Sequence, residues 1–247
     1  MENFRPPITT HCCLCGSDRD LSGEHKIKAS ALRNVFGQRS LRIRRHGERY
    51  RVAQGPGSKA FHFAVPICSE CNNAKTQPAD LAFDQLCTAV MALVVTDVDP
   101  AHVLEEARFA PNGALYLDSR RYFAKLLCCH LAELGAPHQH SIADFAIGIS
   151  DANCISLEID LDSDSAQIEE EFSDLICAAH GGLIIFGEKE TFFPKYFYST
   201  LSIGPTRYKY HAKLTTFGQM QLANDEPDFV EWCCQKTKEQ LSSPPSE

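Results

Sequence analysis

The sequence predicts an α+β fold in which a small N-terminal module, closed by two pairs of cysteines, precedes a larger domain of mixed helices and strands. Two C-x2-C pairs stand about 50 residues apart in the first third of the chain. After them, helix-like and strand-like apolar periodicities alternate, as they do in α+β domains. The predicted division is a module of residues 1–80, a domain of residues 81–240 and a polar tail of residues 241–247.

The composition is that of a globular protein. The chain has 247 residues, of which 44% are hydrophobic and 23% charged, so it has enough apolar side chains for a core. No run of eighteen apolar residues occurs, and the N-terminus lacks a basic segment followed by an apolar one. These features predict neither a membrane span nor a signal peptide, and we expect a cytoplasmic protein.

The N-terminal module is predicted to contain short strands, one short helix and a hairpin. A strand around Gly23 is followed by a helix over residues 29–35. The segment LRIRRHGERYRV has two alternating runs, which is typical of a β-hairpin. A further strand at residues 64–67 leads into the second cysteine pair, after which a helix begins at Ser69.

The remainder of the chain alternates between helical and strand patterns. Pro78 interrupts the helical pattern, and LAFDQLCTAVMALVV at residues 81–95 predicts a long, mostly buried helix. Further helices are predicted at 118–134 and 166–180, and strands at 143–149, 154–161, 182–187 and roughly 196–222. The tail, LSSPPSE, has the composition of a disordered segment.

The two cysteine pairs have the spacing of a four-thiolate zinc site. Two residues between paired cysteines let both sulfurs reach one tetrahedral ion, at about 2.3 Å from each. Cys13 offers a competing register, and His11 is a weaker substitute ligand. A closed thiolate site has no open coordination position, so it contributes folding free energy rather than chemistry. The four predicted ligands are Cys12, Cys15, Cys68 and Cys71.

The charge of the chain is unevenly distributed. Residues 1–80 hold 13 Lys and Arg against 7 Asp and Glu, a balance of +6. Residues 81–247 hold 11 against 25, a balance of −14, and the two parts add to the net charge of −8. A basic end on an acidic body indicates a surface for a polyanion, although a charge cluster is more often a solvated face.

Two ordered motifs accompany the cysteine pairs: Glu24-His25 with Ile27, and Ile67-Cys68-x2-Cys71-Asn72-x2-Lys75-Thr76. Taken singly, their parts have ordinary explanations, since a Glu-His pair is commonly a surface pair and Asn is a favoured helix cap. Taken together, they resemble the motifs of the zinc-containing branch of the HNH (ββα-metal) endonuclease family. The resemblance covers about a third of the chain.

The resemblance implies a ββα module in which Glu24 and His25 end one strand, Asn72 begins the helix, and all three converge on one cleft. His25 would then be the general base that deprotonates water for attack on a phosphodiester. Glu24 and Asn72 would be the oxygen ligands of a catalytic divalent cation, Mg2+ or Mn2+. The implied activity is metal-dependent endonuclease cleavage of DNA.

Some positions depart from the family pattern. Lys28 stands where many members have proline, and Phe63 stands where many have an asparagine that helps to hold the active loop. His62 and Asn73 are the candidates to replace that asparagine. Thr76 stands where some members have a second histidine ligand, which leaves the identity of the metal open.

The predicted partner is DNA, single-stranded or double-stranded, bound through its phosphates. Such contacts give affinity without base recognition and weaken as salt rises. Two alternatives stay open: a non-catalytic zinc module that binds nucleic acid, and an RNase of the same fold. The acidic domain is expected to regulate, to form a homodimer or to bind a protein partner, and no membrane contact is expected. The predicted phosphate-binding residues are Lys26, Arg42, Arg44, Arg45 and Lys75.

Overall fold

The fold is α+β, as predicted, and the computed structural model describes residues 10–38, 40–43, 51–164 and 178–242. A single π-helical turn spans Cys71–Lys75, and short 3-10 helices span Lys59–Phe61 and Pro100–Glu105. The strands are β1 (Leu21–His25), β2 (Leu41–Ile43), β3 (Arg51–Ala53), β4 (His62–Cys68), β5 (Ile155–Leu161), β6 (Ala178–His180), β7 (Ile184–Gly187), β8 (Pro194–Ile203) and β9 (Thr206–Lys213). The helices are α1 (Ala29–Phe36), α2 (Gln77–Val95), α3 (Tyr116–Glu133), α4 (His140–Ala146), α5 (Thr216–Asp225) and α6 (Pro227–Ser242).

The N-terminal module is built on two short antiparallel strand pairs. β1 pairs with β4, from Leu21 opposite Cys68 to His25 opposite His62, with an irregularity in the register after Gly23. β2 pairs with β3, which confirms the predicted hairpin, and its turn lies outside the described residues. After β4 the chain passes through the π turn into α2, so two strands are followed by a helix.

A five-stranded antiparallel sheet forms the second half of the fold. Its order is β5-β9-β8-β6, and β7 also pairs with β8. The long β8 and β9 form a hairpin with Ile203 opposite Thr206. The turn needs glycine, because Gly204 has a φ of +58°, a value that other residues adopt only with strain.

Helix α3 lies at the centre of the molecule and is buried on most of its surface. Its Tyr122 ring stacks on Phe83 of α2, with centroids 3.8 Å apart. Within the described part of the chain, α2 is the one helix long and apolar enough, by length and composition, to cross a membrane. It packs along α3 and buries Ala82, Phe83 and Leu86, but only about a third of it is buried, so it is not the mostly buried helix that the sequence predicts.

Three side chains on one face of α3 contact the N-terminal module. Lys125, Cys129 and Glu133 are spaced by four residues, so they lie on the same helix face. The Lys125 ammonium lies 3.1 Å from the Glu24 carboxylate, and the Cys129 sulfur lies 3.5 Å from that of Cys13. Glu133 pairs with Lys26 at 2.7 Å and accepts the Ala64 backbone N–H. The helix therefore contacts the first knuckle, the end of β1 and the start of β4.

The buried side chains of the module and of the sheet belong to one hydrophobic core, which includes Leu14, Phe83, Phe123 and Phe229. The predicted boundary near residue 80 falls inside the first turns of α2. The division into domains 1–80 and 81–240 stays a prediction, and the two parts share their core.

Several predicted elements need correction. The helix predicted from residue 81 begins at Gln77, because proline is compatible with the first turn of a helix and Pro78 lies there. The strand predicted at 143–149 is wrong: α4 occupies most of it, since a short apolar run does not distinguish a buried strand from a buried helix. Of the helix predicted at 166–180, only 178–180 is described, and it is a strand. Residues 196–222 form two strands and then α5, rather than strand throughout.

Candidate functional site

Four cysteines come together at the junction of the first loop and β4. The sulfurs of Cys12, Cys15, Cys68 and Cys71 all lie within 4.8 Å of one another. Those of Cys15 and Cys68 are 3.6 Å apart. Sulfurs that share one tetrahedral zinc ion at about 2.3 Å lie roughly 3.8 Å apart, so the cluster has the dimensions of such a site. The cluster can hold a metal ion such as zinc.

Local backbone structure forms both knuckles. In the first, Gly16 has a φ of +74° and its N–H donates to the Cys12 carbonyl at 2.9 Å. In the second, the Cys71 N–H donates to the Cys68 sulfur at 3.4 Å. The two are joined because the Cys13 N–H donates to the Pro66 carbonyl of β4. Each pair therefore turns two sulfurs towards the same point.

These contacts show which cysteines of the first loop belong to the cluster. Cys13 turns away from the cluster and meets Cys129, while His11 contacts Thr10, so neither belongs to the group of four. A hydrogen bond from Cys71 lowers the pKa of Cys12 to about 4, against the opposing effect of burial, and the pKa of Cys71 rises in turn. At least one thiolate is thus favoured, which is the form that binds metal.

Two histidines face each other on the short β1–β4 sheet. His25 and His62 occupy opposed positions in the register, and their Nε2 atoms lie 3.0 Å apart. The ring centroids are 4.0 Å apart, with the planes tilted by 58°. Burial, followed by repulsion from His62 and Lys125, lowers the pKa of His25 to about 4. The ring is therefore neutral near pH 7 and can accept a proton or a metal ion.

Gly23 and Asn72 complete this face of the strand. A Cβ at Gly23 would lie 2.4 Å from Nδ1 of His62, so the glycine is what allows the imidazole to lie against β1. The Asn72 side-chain amide donates to the Ser22 hydroxyl at 3.2 Å and points to the Gly23 carbonyl at 3.5 Å. Asn72 is thus brought from the π turn to the residues that immediately precede Glu24 and His25.

Glu24 points into the protein rather than into this cleft. It is 7% exposed, and its carboxylate lies 3.1 Å from the ammonium of Lys125. Lys125 is fully buried and also pairs with Asp80 at 2.7 Å. The prediction that Glu24 holds a divalent cation therefore needs correction, because the carboxylate is already neutralised inside the fold. Asn72 is the one predicted oxygen ligand that remains in the cleft.

The electrostatics of this buried pair follow from its surroundings. Burial raises the pKa of Glu24, and the attraction of Lys125 opposes that change. Burial alone would lower the pKa of Lys125, but the Glu24 and Asp80 carboxylates outweigh it and raise the pKa. Lys125 is therefore a permanent cation beneath the strand that carries His25.

The predicted phosphate-binding residues have different surroundings. Lys26 is engaged internally by Glu133, with the two side chains 24% and 19% exposed, so its ammonium is not free for a phosphate. Lys75 lies at the rim, 3.2 Å from an exposed Glu70. Arg42 lies on β2, and Arg44 and Arg45 lie outside the described residues.

Sequence reasoning missed Lys125 and Glu133. Both stand in a helix rich in apolar residues, where a charged side chain has no pattern that identifies its partner. The one available signal was that lysine is almost never fully buried without an ion pair. His62 was visible in the sequence as a replacement for the missing asparagine, and the structure places it against His25.

Comparisons of the chain with family models, curated proteins and solved structures gave no match.

Proposed function

We propose that this protein is a metal-dependent endonuclease of the HNH type that hydrolyses phosphodiester bonds in DNA. The observation that carries the proposal is the contact of Asn72 with Ser22 and Gly23, across 50 and 49 residues of sequence. It puts the start of the helical segment beside the strand end that carries Glu24 and His25. The contact supports the implied convergence of Asn72 with His25, whereas Glu24 points away from their cleft.

His25 is the proposed general base. Its ring is half-buried at the end of β1, and it is neutral near pH 7, so it can take a proton from an attacking water. His62 is a positioning residue in this scheme, because its Nε2 meets that of His25 and fixes the direction in which the ring points. A general base of this kind contributes on the order of 10²–10⁴-fold to the rate.

Glu24 is also assigned a positioning role. Its ion pair with Lys125 joins the C-terminal end of β1 to α3, and His25 is the next residue in the chain. Asn72 offers a side-chain oxygen to a hard divalent cation such as Mg2+ or Mn2+. Such a cation, when bound with the substrate, would neutralise charge on the scissile phosphate.

The structural metal is proposed to be zinc, held by the four clustered cysteines. Its role is to join the first loop to the end of β4, and so to keep β1 and β4 in register. DNA affinity is assigned to the basic surplus of the module, with Lys75 at the rim, Arg42 on β2, and Arg44 and Arg45 as further candidates from the sequence. The internal pairing of Lys26 removes it from that set.

A plasmid-nicking assay tests the proposal, run with Mg2+ or Mn2+ and with EDTA. Cleavage should require the cation and should be lost in His25→Ala, while zinc content and DNA affinity stay near those of the parent. His140→Ala is a suitable control, since His140 is an exposed histidine outside the cleft. Cleavage by His25→Ala at the parent rate would remove His25 from the mechanism.

A non-catalytic nucleic-acid-binding module is the second candidate. The observation that favours it is the internal pairing of Glu24, which leaves few oxygen ligands in the cleft. DNA binding without cleavage under any divalent cation would support this reading and overturn the first. Cleavage of an RNA substrate under the same conditions, with the plasmid left intact, would make the enzyme an RNase.

A further inference from the structure

His25 and His62 bring two nitrogen atoms to one point at the edge of the β1–β4 sheet. Their Nε2 atoms are 3.0 Å apart, and both rings are partly exposed. Two nitrogens bound to one tetrahedral zinc ion, at about 2.0–2.1 Å each, lie roughly 3.3–3.4 Å apart, slightly more than in this pair. The pair therefore has the dimensions of half a metal site as well as those of a hydrogen bond.

We propose that His25 and His62 form a second metal site, which takes a nitrogen-preferring divalent cation such as Zn2+ and inhibits the enzyme. The inhibition rests on the proposed function, because a cation on Nε2 of His25 occupies the general base. Imidazole nitrogens favour Zn2+, Ni2+ and Cu2+, whereas Mg2+ favours oxygen. The same cleft would thus respond in opposite ways to the two kinds of cation.

The fold prepares this arrangement before any ion arrives. The two residues are opposed in the register of β1 and β4, so their backbones are held by the sheet. Gly23 provides the space in which the His62 ring lies. Among the described contacts, neither ring pairs with a carboxylate, so no internal anion competes for the two nitrogens.

The proton that the two nitrogens share must move when an ion binds. In the metal-free pair one Nε2 donates to the other, so one ring carries its proton on Nε2. A cation needs the lone pair of both nitrogens, and each neutral ring then carries its proton on Nδ1. The change is a tautomer shift of one ring, with no net release of a proton.

A second histidine pair in the chain serves as the control. The rings of His138 and His140 also touch, with centroids 4.6 Å apart. Their geometry does not make a chelate, because Nε2 of His138 is bonded to the Leu14 carbonyl at 3.0 Å. Ring proximity alone would therefore make this pair a site as well, whereas the direction of the nitrogens excludes it.

The test is a zinc count on the full-length protein after dialysis against micromolar Zn2+, beside the same protein purified without added metal. The parent should gain about one ion per chain on top of its structural zinc, and excess Mg2+ should not displace it. His62→Phe, which keeps a ring against Gly23, and His62→Gln should both lack the gain, as should His25→Ala. His140→Ala should gain the ion as the parent does.

Unchanged melting curves and an unchanged structural zinc content confirm that each variant is folded. A parent that gains no zinc, or a gain retained in both His62 variants, overturns the site. In the same samples, cleavage by the parent in Mg2+ should fall with the zinc concentration that fills the site. If no sample cleaves DNA while the zinc count behaves as expected, the proposed function fails and the metal site stands.

Discussion

Replacing Lys125 by methionine should destabilise the protein severely. The Lys125 ammonium is fully buried and lies 3.1 Å from the Glu24 carboxylate and 2.7 Å from that of Asp80. Methionine keeps an unbranched side chain of similar length but removes the charge. Glu24, which is 7% exposed, then remains buried without its cation.

The magnitude follows from the burial of the pair. Removing one partner of a buried ion pair costs about 3–5 kcal/mol in the free energy of unfolding, because the other charge stays buried and unpaired. In a chain of this size that corresponds to a fall in Tm of roughly 6–20 °C. Lys236→Met is the matched control: its pair with Glu239 is 45% and 50% exposed, and loss of such a surface pair costs about 0–1 kcal/mol.

Urea unfolding at about pH 8 and about pH 5 gives the decisive comparison. Burial raises the pKa of Glu24, and in Lys125→Met the opposing attraction is gone. A carboxyl with a raised pKa in the folded state destabilises the fold at high pH, and the loss shrinks as pH falls toward its unfolded pKa of about 4.3. The defect should therefore be smaller at pH 5 and should be partly relieved by Glu24→Gln in the same chain. A loss no greater than that of Lys236→Met, or one equal at both pH values, would refute the account.

Three further predictions concern the metal, the pH and the shared core. Cys68→Ser should lose the structural zinc and unfold the N-terminal module, which metal analysis and circular dichroism would show; a folded variant with full zinc would contradict the four-cysteine site. Burial lowers the pKa of His180 to about 3 and that of His130 well below its usual value, so each ring is neutral in the fold. Stability is then complete above about pH 6.5 and is lost as pH falls, by about 2 kcal/mol at pH 5 from His180 alone; a flat urea midpoint between pH 7.5 and 5 would count against this. A fragment ending at residue 96 should fail to fold even with zinc, as judged by amide dispersion in an NMR spectrum, because it lacks α3.

The sequence carried the local signals of the fold and of the site. The spacing of the cysteine pairs is a chemical requirement of the metal site, and it correctly separated Cys12 from its neighbour Cys13. The predicted hairpin, the strand into the second pair and the helices at 81–95 and 118–134 all correspond to observed elements. Alternating or helical periodicity was strong in each of these segments, and local patterns of this kind need no knowledge of the partner element.

The sequence did not show which distant segments pack against each other. The apolar run in SIADFAIGIS, residues 141–150, fits a strand or a helix. The structure has a helix here, which packs against α3. The direction of Glu24 was likewise undetermined, because adjacent residues of a strand point to opposite faces and the irregularity after Gly23 shifts the register. The resemblance suggested that Glu24 and His25 share a cleft, whereas the strand turns one inward and leaves the other at the surface.

The contacts of α3 link the acidic half of the chain to the chemistry proposed for the basic half. Lys125 and Glu133 contact the residues on either side of His25, namely Glu24 and Lys26. Glu24 and Lys26 each form an ion pair with a residue of opposite charge on α3, and His25 lies between them in the chain. The orientation of a general base determines whether it reaches its proton, and small displacements are costly to the rate. The body of the protein is therefore the support on which the candidate active strand is aligned.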